Sequence, residues 1–285
     1  MIEGAVASCV NGSSSSMIER GTASCAWAFT RIRAMTTHRR LFCLFGILMP
    51  VAGLAGEEKA DQKTVRAVIE NAIQAHGGAE RLAKLNAVRW KIDGVAELSG
   101  GSIRFSAELT NRLPDRHRVA FTVAGDTEAS LRVVNGKKAW KRVDGRTEEL
   151  AGDELSDALA SVYHGYVRSL NPLIKNAEFG LSLVGEAKVD DRSAVGIRVE
   201  AKGRPGINLF FDKENGLLLK AERRSLGPNR QEATLETYYR DYKSFEGVMQ
   251  PTTLVLHYDG KFHMRQEVTE LRFLDEIEDS HFQKP

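Results

Sequence analysis

The stretch from Gly206 to Ala221, Gly-Ile-Asn-Leu-Phe-Phe-Asp-Lys-Glu-Asn-Gly-Leu-Leu-Leu-Lys-Ala, constrains the fold more than any other part of the chain. Two apolar runs flank Glu214-Asn215-Gly216, and a three-residue loop with glycine in the left-handed position is a favoured hairpin connection. That loop predicts Lys213 opposite Leu217, Phe211 opposite Leu219 and Leu209 opposite Ala221. One face then carries Ile207, Leu209, Phe211, Leu217, Leu219 and Ala221. The other carries Asn208, Phe210, Asp212, Leu218, Lys220 and Glu222. A slip by one residue would mix the two sets, so the pattern itself selects the pairing. The chain therefore holds a sheet with one apolar face, and its function depends on what that face touches.

The same alternation recurs along the chain. Val88, Trp90, Ile92, Ala96 and Leu98 form one such series, followed by Ile103 to Leu109, Val119 to Val123, Leu131 to Val134 and Lys138 to Val143. After residue 180 the strands resume near 181–189, 195–201, 233–242, 252–258 and 261–273, bounded by Gly, Pro, Asn and Asp. Two segments carry helical spacing instead. Asp61 to His76 presents Val65, Val68, Ile69, Ala72 and Ile73 on one stripe, with Asp61 as N-cap and Gly77-Gly78 as stop. His76 in its last turn is expected to be partly protonated against the helix dipole. A short helix from Ala79 to Leu85 follows. Asp153 to Leu170 repeats Leu155, Leu159, Val162, Tyr163 and Tyr166 and is closed by Asn171-Pro172. The predicted fold is mainly β with helices (α+β): a curved antiparallel half-barrel of about eleven strands, more than an open twisted sheet carries without curling, with helices covering the concave face.

The segment from Met35 to Ala55 has Arg39-Arg40, then apolar residues from Leu41 to Leu54, then small residues before Glu57-Glu58. That is the pattern of a cleaved signal peptide, and the apolar run is short for a permanent span. Residues 1–34 read as an extension ahead of a start at Met35, residues 35–55 as the signal, and residues 56–285 as a single exported, periplasmic domain. Cys9, Cys25 and Cys43 all fall at or before the signal, leaving a mature domain that relies on its core and not on disulfides. Net charge is +2, from 40 basic and 38 acidic side chains without a dense basic stripe, which gives no support to nucleic-acid binding.

The search for chemistry yields no catalytic residue, cofactor motif or metal set. The chain lacks a phosphate loop, a Gly-x-Ser-x-Gly elbow, a His-Glu-x-x-His pair and a mature cysteine. An Asp259-Gly260 turn sends His257 and His263 to opposite faces. His164 suits a solvent-edge or capping place, His117 a rim or inner-face place, and Asp190-Asp191 a turn. Trp90 and Trp140 are core aromatics if the sheet is filled, and ligand contacts if it is hollow.

Several segments together resemble the LolA-like superfamily of envelope lipoprotein and lipid carriers. They are Ala75-His76-Gly77-Gly78, Leu113-Pro114-Asp115-Arg116-His117-Arg118, Asn135-Gly136-Lys137-Lys138-Ala139-Trp140, Phe211 to Leu217, Tyr242 to Pro251, and Asp279-Ser280-His281-Phe282. The likeness implies a half-barrel around an apolar cavity for acyl chains, with helices as a lid. In the lipoprotein carriers of that superfamily an arginine directly before the proline latches the lid. Leu113 stands there in this chain, so Arg112, one step away on the other face, and Arg116 or Arg118 become the residues to consider.

The expected cavity residues are Trp90, Phe105, Phe121, Trp140, Leu209, Phe211, Leu217 and Leu219, and the expected lid residues are Leu159, Tyr163, Tyr166, Arg112 and Arg116. The leading expectation is a non-enzymatic carrier or sensor of a lipid or acylated protein, making at most transient contact with a membrane. Each buried CH₂ of an acyl chain is worth about 0.8 kcal/mol. A filled interior would point instead to a module that binds an envelope protein, and converging polar groups in a pocket to an enzyme.

Overall fold

The computed structural model describes residues 54–98, 100–175 and 178–285. The extension and nearly all of the expected signal segment lie outside them. The described chain opens with α1 (Leu54–Ala75), which runs through Asp61 where a cap was expected, then α2 (Ala79–Leu82) and a 3₁₀ turn. Six strands follow: β1 (Ala87–Leu98), β2 (Gly101–Arg112), β3 (Arg116–Val123), β4 (Ser130–Asn135), β5 (Lys138–Val143) and β6 (Arg146–Glu149). Two helices, α3 (Gly152–Arg168) and α4 (Asn171–Lys175), interrupt the strands. The sheet then resumes with β7 (Gly180–Val189), β8 (Arg192–Glu200), β9 (Ile207–Asp212) and β10 (Leu218–Leu226). It ends with β11 (Glu232–Phe245), β12 (Val248–Tyr258) and β13 (Lys261–Phe273).

All thirteen strands belong to one curved, unclosed antiparallel sheet in the order β6-β5-β4-β3-β2-β1-β13-β12-β11-β10-β9-β8-β7. The predicted half-barrel class is therefore observed, with two strands more than expected. One unforeseen strand is β6, whose Arg-Thr-Glu-Glu sequence has no apolar alternation and is recruited by pairing with β5. Because β6 and β7 are the two free edges, the α3–α4 connection has to travel from one edge to the other. It does so across the concave face.

The opening hairpin needs one correction. Leu209 does oppose Ala221, but Phe211 opposes Leu218, with a register shift between Leu218 and Lys220. Polar bonds lengthen the loop: Gly216 N–H donates to Asp212 O (2.9 Å), Glu214 N–H to Asp212 Oδ1 (2.7 Å) and Leu217 N–H to Asn215 Oδ1 (3.0 Å). The bulge turns Leu218 inward and sends Leu219 to the convex face, where it packs with Phe210, Val189 and Ala194. The reach of side-chain hydrogen bonds within the loop overrides the simple three-residue rule.

Three apolar clusters fill the concave side, one of them joining Val134, Ala139 and Leu150 to Ala158 and Val162 of α3. Under α1 and the end of α3, Val65, Ile69, Ile73 and Val167 meet Ile197, Ile207, Leu209, Phe211 and Leu218. Toward the other half of the wall, Val88, Trp90, Ile92, Phe105, Val119, Phe121 and Leu256 pack together. A smaller cluster on the convex side joins Val133 and Trp140 to Ile277 and Phe282 of the C-terminal segment.

The motif segments are largely structural junctions. Gly77 packs so closely on the β11–β12 turn that an added Cβ would stand 2.2 Å from Gly247 O, and Met249 N–H donates to His76 O (3.0 Å). Thus Ala75-His76-Gly77-Gly78 and the Tyr242–Pro251 stretch meet each other. Gly216 closes in the same manner on Asn71 and Ala75 of α1.

Candidate functional site

The site is organised by α3. Asp153 and Glu154 in its first turn suit the positive end of its dipole. Leu170, at φ 61, breaks the helix before Asn171-Pro172 opens α4 and does not merely close α3. Along α3 the residues Glu154, Asp157, Ser161, His164 and Arg168 recur at spacings of three and four, forming one face of the helix. Each of them is directed to the sheet. Glu154 pairs with Lys141 on β5 (3.2 Å) and with Arg230 beyond β10, so one carboxylate joins the two halves of the wall. Asp157 accepts from Ser225 Oγ (2.7 Å) and stands 3.6 Å from Arg223, which donates to Ser161 Oγ (3.0 Å). His164 Nε2 meets the Tyr239 hydroxyl at 3.3 Å. Arg168 lies over the rings of Trp90 and Tyr239, 5.4 and 5.7 Å from their centroids.

This polar seat leaves little room beneath α3. The cavity between the helix and the sheet is about 30 Å³ and partly open, bordered by Trp90, Leu109, His164, Arg168, Thr237 and Tyr239 among others. Burial and the charges of Arg223 and Arg168 drive the His164 pKa well below its ordinary value, so the imidazole is neutral. His164 is thus a buried partner of Tyr239, neither at a solvent edge nor in a cap. His117 is buried on the inner face and donates through Nδ1 to Asn111 Oδ1 (2.6 Å). His76 donates through Nδ1 to Ala72 O (2.7 Å), and desolvation brings its pKa to about 4 against the dipole effect expected from sequence. His257 meets Tyr238 at a tilt and Phe262 edge-on on the convex side while His263 is buried against Tyr258, the opposite-face arrangement expected for them.

The apolar stripe of α3 packs beside this seat: Ala158 and Val162 meet Val134, Ala139 and Leu150, and Tyr163 and Val167 join the cluster under α1. Leu159, Val162, Tyr163 and Tyr166 line an open cleft of about 760 Å³, closed on its far sides by Pro114, Val134, Phe179 and the β8–β9 loop. Phe179 stacks on Tyr163 at 6.3 Å with nearly parallel rings and meets Tyr166 at 6.3 Å and 59°. Arg204 lies over Tyr163, 5.4 Å from its centroid. Burial raises both tyrosine pKa values; Arg204 offsets part of the rise for Tyr163, and Glu178 adds to it for Tyr166. The volume lies within the usual range for small-ligand sites, roughly 300–1,000 Å³.

The expected site residues separate into several places. Trp90, Phe105, Phe121, Leu209 and Phe211 are on the concave side in packed clusters, and Leu217 is half-buried in the hairpin loop. Trp140 is on the convex side under Phe282, and Leu219 is on that side too. Leu159, Tyr163 and Tyr166 share the cleft. Arg112 and Arg116 are committed to Asp279 of the C-terminal turn, and Arg112 also donates to Ile277 O (2.6 Å), so neither serves α3. Sequence reasoning missed Phe179 and Arg204, which arrive from separate loops, and the polar stripe of α3, which was legible as a repeat of threes and fours.

Comparison with known proteins agrees with this architecture. No protein-family model matches the chain. The structure superposes on the LolA superfamily protein of Nitrosomonas europaea with a TM-score of 0.53, covering 77% of this chain and 97% of that one at 13% identity. The chain has a LolA-like fold. A DUF1329 family protein from Desulfovibrio piger matches this LolA-like sheet equally, with a TM-score of 0.53, 12% identity and the same coverages of 77% and 97%. In sequence, 96 residues are 35% identical to the sigma factor AlgU regulatory protein MucB of Pseudomonas aeruginosa, over 33% of this chain. The match spans only 30% of the length of MucB. Within its LolA-like frame, this chain combines a filled concave side with an open aromatic cleft beside α3.

Proposed function

We propose that this is an exported envelope protein that binds the apolar part of a lipid or acylated protein in the cleft beside α3, without covalent chemistry. The observation that carries the reading is the orientation of α3: its polar stripe is seated on the sheet, and Leu159, Tyr163 and Tyr166 face the cleft. The half-buried Leu159 and Tyr166, with Phe179 against Tyr166, leave apolar surface in the cleft that suits an apolar occupant. The phenols in the cleft stay protonated at neutral pH, burial pushing their pKa values further up from 10, so neither supplies a base there. Among the described residues no helix is long and apolar enough to cross a membrane.

The experiment is native mass spectrometry of the protein isolated from the periplasm, paired with uptake of a fluorescent fatty acid. A co-purifying acyl species and saturable uptake are expected, both lost in Tyr166→Glu and Leu159→Glu without loss of folding. Absence of lipid and of uptake in the unaltered protein overturns the reading.

A second reading is supported by the packed concave side and by the MucB match: an envelope module that grips a partner polypeptide in the same cleft. MucB itself has been solved in complex with MucA(peri). Under this reading Tyr166→Glu abolishes cross-linking to an envelope protein while fatty acid is never taken up.

A further inference from the structure

The small, partly open cavity beneath α3 is bordered by a positive charge with no protein counter-charge beside it among the described residues. None of the residues around it is acidic. Arg168 contacts it from α3, and among the described residues its guanidinium has ring contacts to Trp90 and Tyr239 but no ion pair and no hydrogen bond. Its charge reaches the surrounding groups, since it lowers the pKa values of both His76 and His164. Arg168 is half-buried, so its guanidinium has lost part of its hydration, and a nearby anion would replace what was lost.

Two more groups bordering the same cavity are unsatisfied. Trp90 Nε1 and Thr237 Oγ1 are buried with no hydrogen-bond partner, on residues only 5% and 3% exposed. The indole N–H can only donate, and the hydroxyl can donate. A cation and two available donors, drawn from β1, β11 and α3, therefore surround one space that contains no carboxylate.

We propose that this cavity is a binding site for one small monovalent inorganic anion, held by Arg168, the Trp90 indole N–H and the Thr237 hydroxyl. The cavity volume of about 30 Å³ has room for roughly two water-sized species. That favours a small ion over a fatty-acid carboxylate with its chain, or a phosphate, while α3 is seated. Water would satisfy the donors but leave Arg168 without a counter-charge. A bound anion contacts both the sheet and α3, so it would hold the helix on its seat and couple anion concentration to the closed state of the concave face. This site is separate from the cleft, and its existence does not depend on what the cleft binds.

The test uses the full chain, with bromide as probe. Crystals soaked in sodium bromide are expected to give an anomalous peak between Arg168 and Trp90. Thermal unfolding in sodium bromide, against sodium gluconate at matched ionic strength, is expected to show a saturable upward shift. That shift is lost in Arg168→Met and retained in Arg168→Lys. If Arg168→Met does not fold, Thr237→Val provides the second arm, with a weaker half-saturation expected. Water alone in the cavity of bromide-soaked crystals, a bromide shift unchanged in Arg168→Met, or an unchanged half-saturation in Thr237→Val overturns the proposal.

Discussion

The guanidinium of Arg223, on β10, donates to Ser161 Oγ on α3 across 3.0 Å and stands 3.6 Å from Asp157 Oδ1, with its side chain 1% exposed. It binds the crossing helix to the wall from inside. Arg223→Ala strands Asp157 and Ser161 in a dry environment, and loss of one partner of a buried ion pair costs about 3–5 kcal/mol. Urea unfolding is expected to show that loss. The double variant Arg223→Met with Asp157→Asn is expected to recover part of it, because it removes the orphaned charge. Limited proteolysis within α3 should increase in the single variant.

Gly77 has φ 117 and faces the backbone of Gly247, where a Cβ would stand 2.2 Å from a carbonyl oxygen. Backbone cannot retreat as a flexible side chain does. Gly77→Ala therefore combines strain with separation of α1 from the β11–β12 turn, at a cost of about 2–3 kcal/mol. Hydrogen exchange should locate the weakening at the C-terminal end of α1 and at Met249.

The pKa of His76 falls from 6.5 to about 4 on folding. Between those values the unfolded chain binds the proton and the folded chain does not, so stability rises with pH across that window and is lost as pH falls from about 6.5 to 4. The shift corresponds to about 3 kcal/mol for this residue. His117 and His164 are shifted in the same direction by burial and add to the slope. Urea midpoints measured from pH 7 to pH 4.5 are expected to fall steeply, and less steeply in His76→Gln.

Phe282 is wholly buried against Val133, Trp140 and Ile277 on the convex side. Phe282→Ala is expected to cost about 3–5 kcal/mol and to shift the emission of Trp140 toward that of a solvated indole. Ligand uptake in the cleft should be unchanged wherever the variant is folded, since the cluster lies on the opposite side of the sheet.

Local pattern alone determined most of the architecture. Alternation along Val88–Leu98 and Ile207–Asp212, turns such as Asp259-Gly260, and the helical spacing of 153–170 specify strands, hairpins and an inserted helix. Those signals reside in residues a few positions apart, where sterics and hydrogen bonding act without reference to the rest of the chain. They also indicated a wall with one apolar face. What they could not supply was the identity of the neighbour on each side. Trp140 and Leu219 have apolar patterning compatible with either face; the C-terminal segment and a one-residue bulge placed them outside. Arg112 and Arg116 found Asp279 more than 160 residues away. The orientation of α3 was decided by Arg223, Ser225 and Tyr239 on distant strands, because buried polar groups must be paired, and by Val134, Ala139 and Leu150, which bury Ala158 and Val162 beside that polar seat. The strands and the helix thus belong to the sequence, while the cleft beside α3 and the small space beneath it exist only once the two halves of the sheet are joined through β1 and β13.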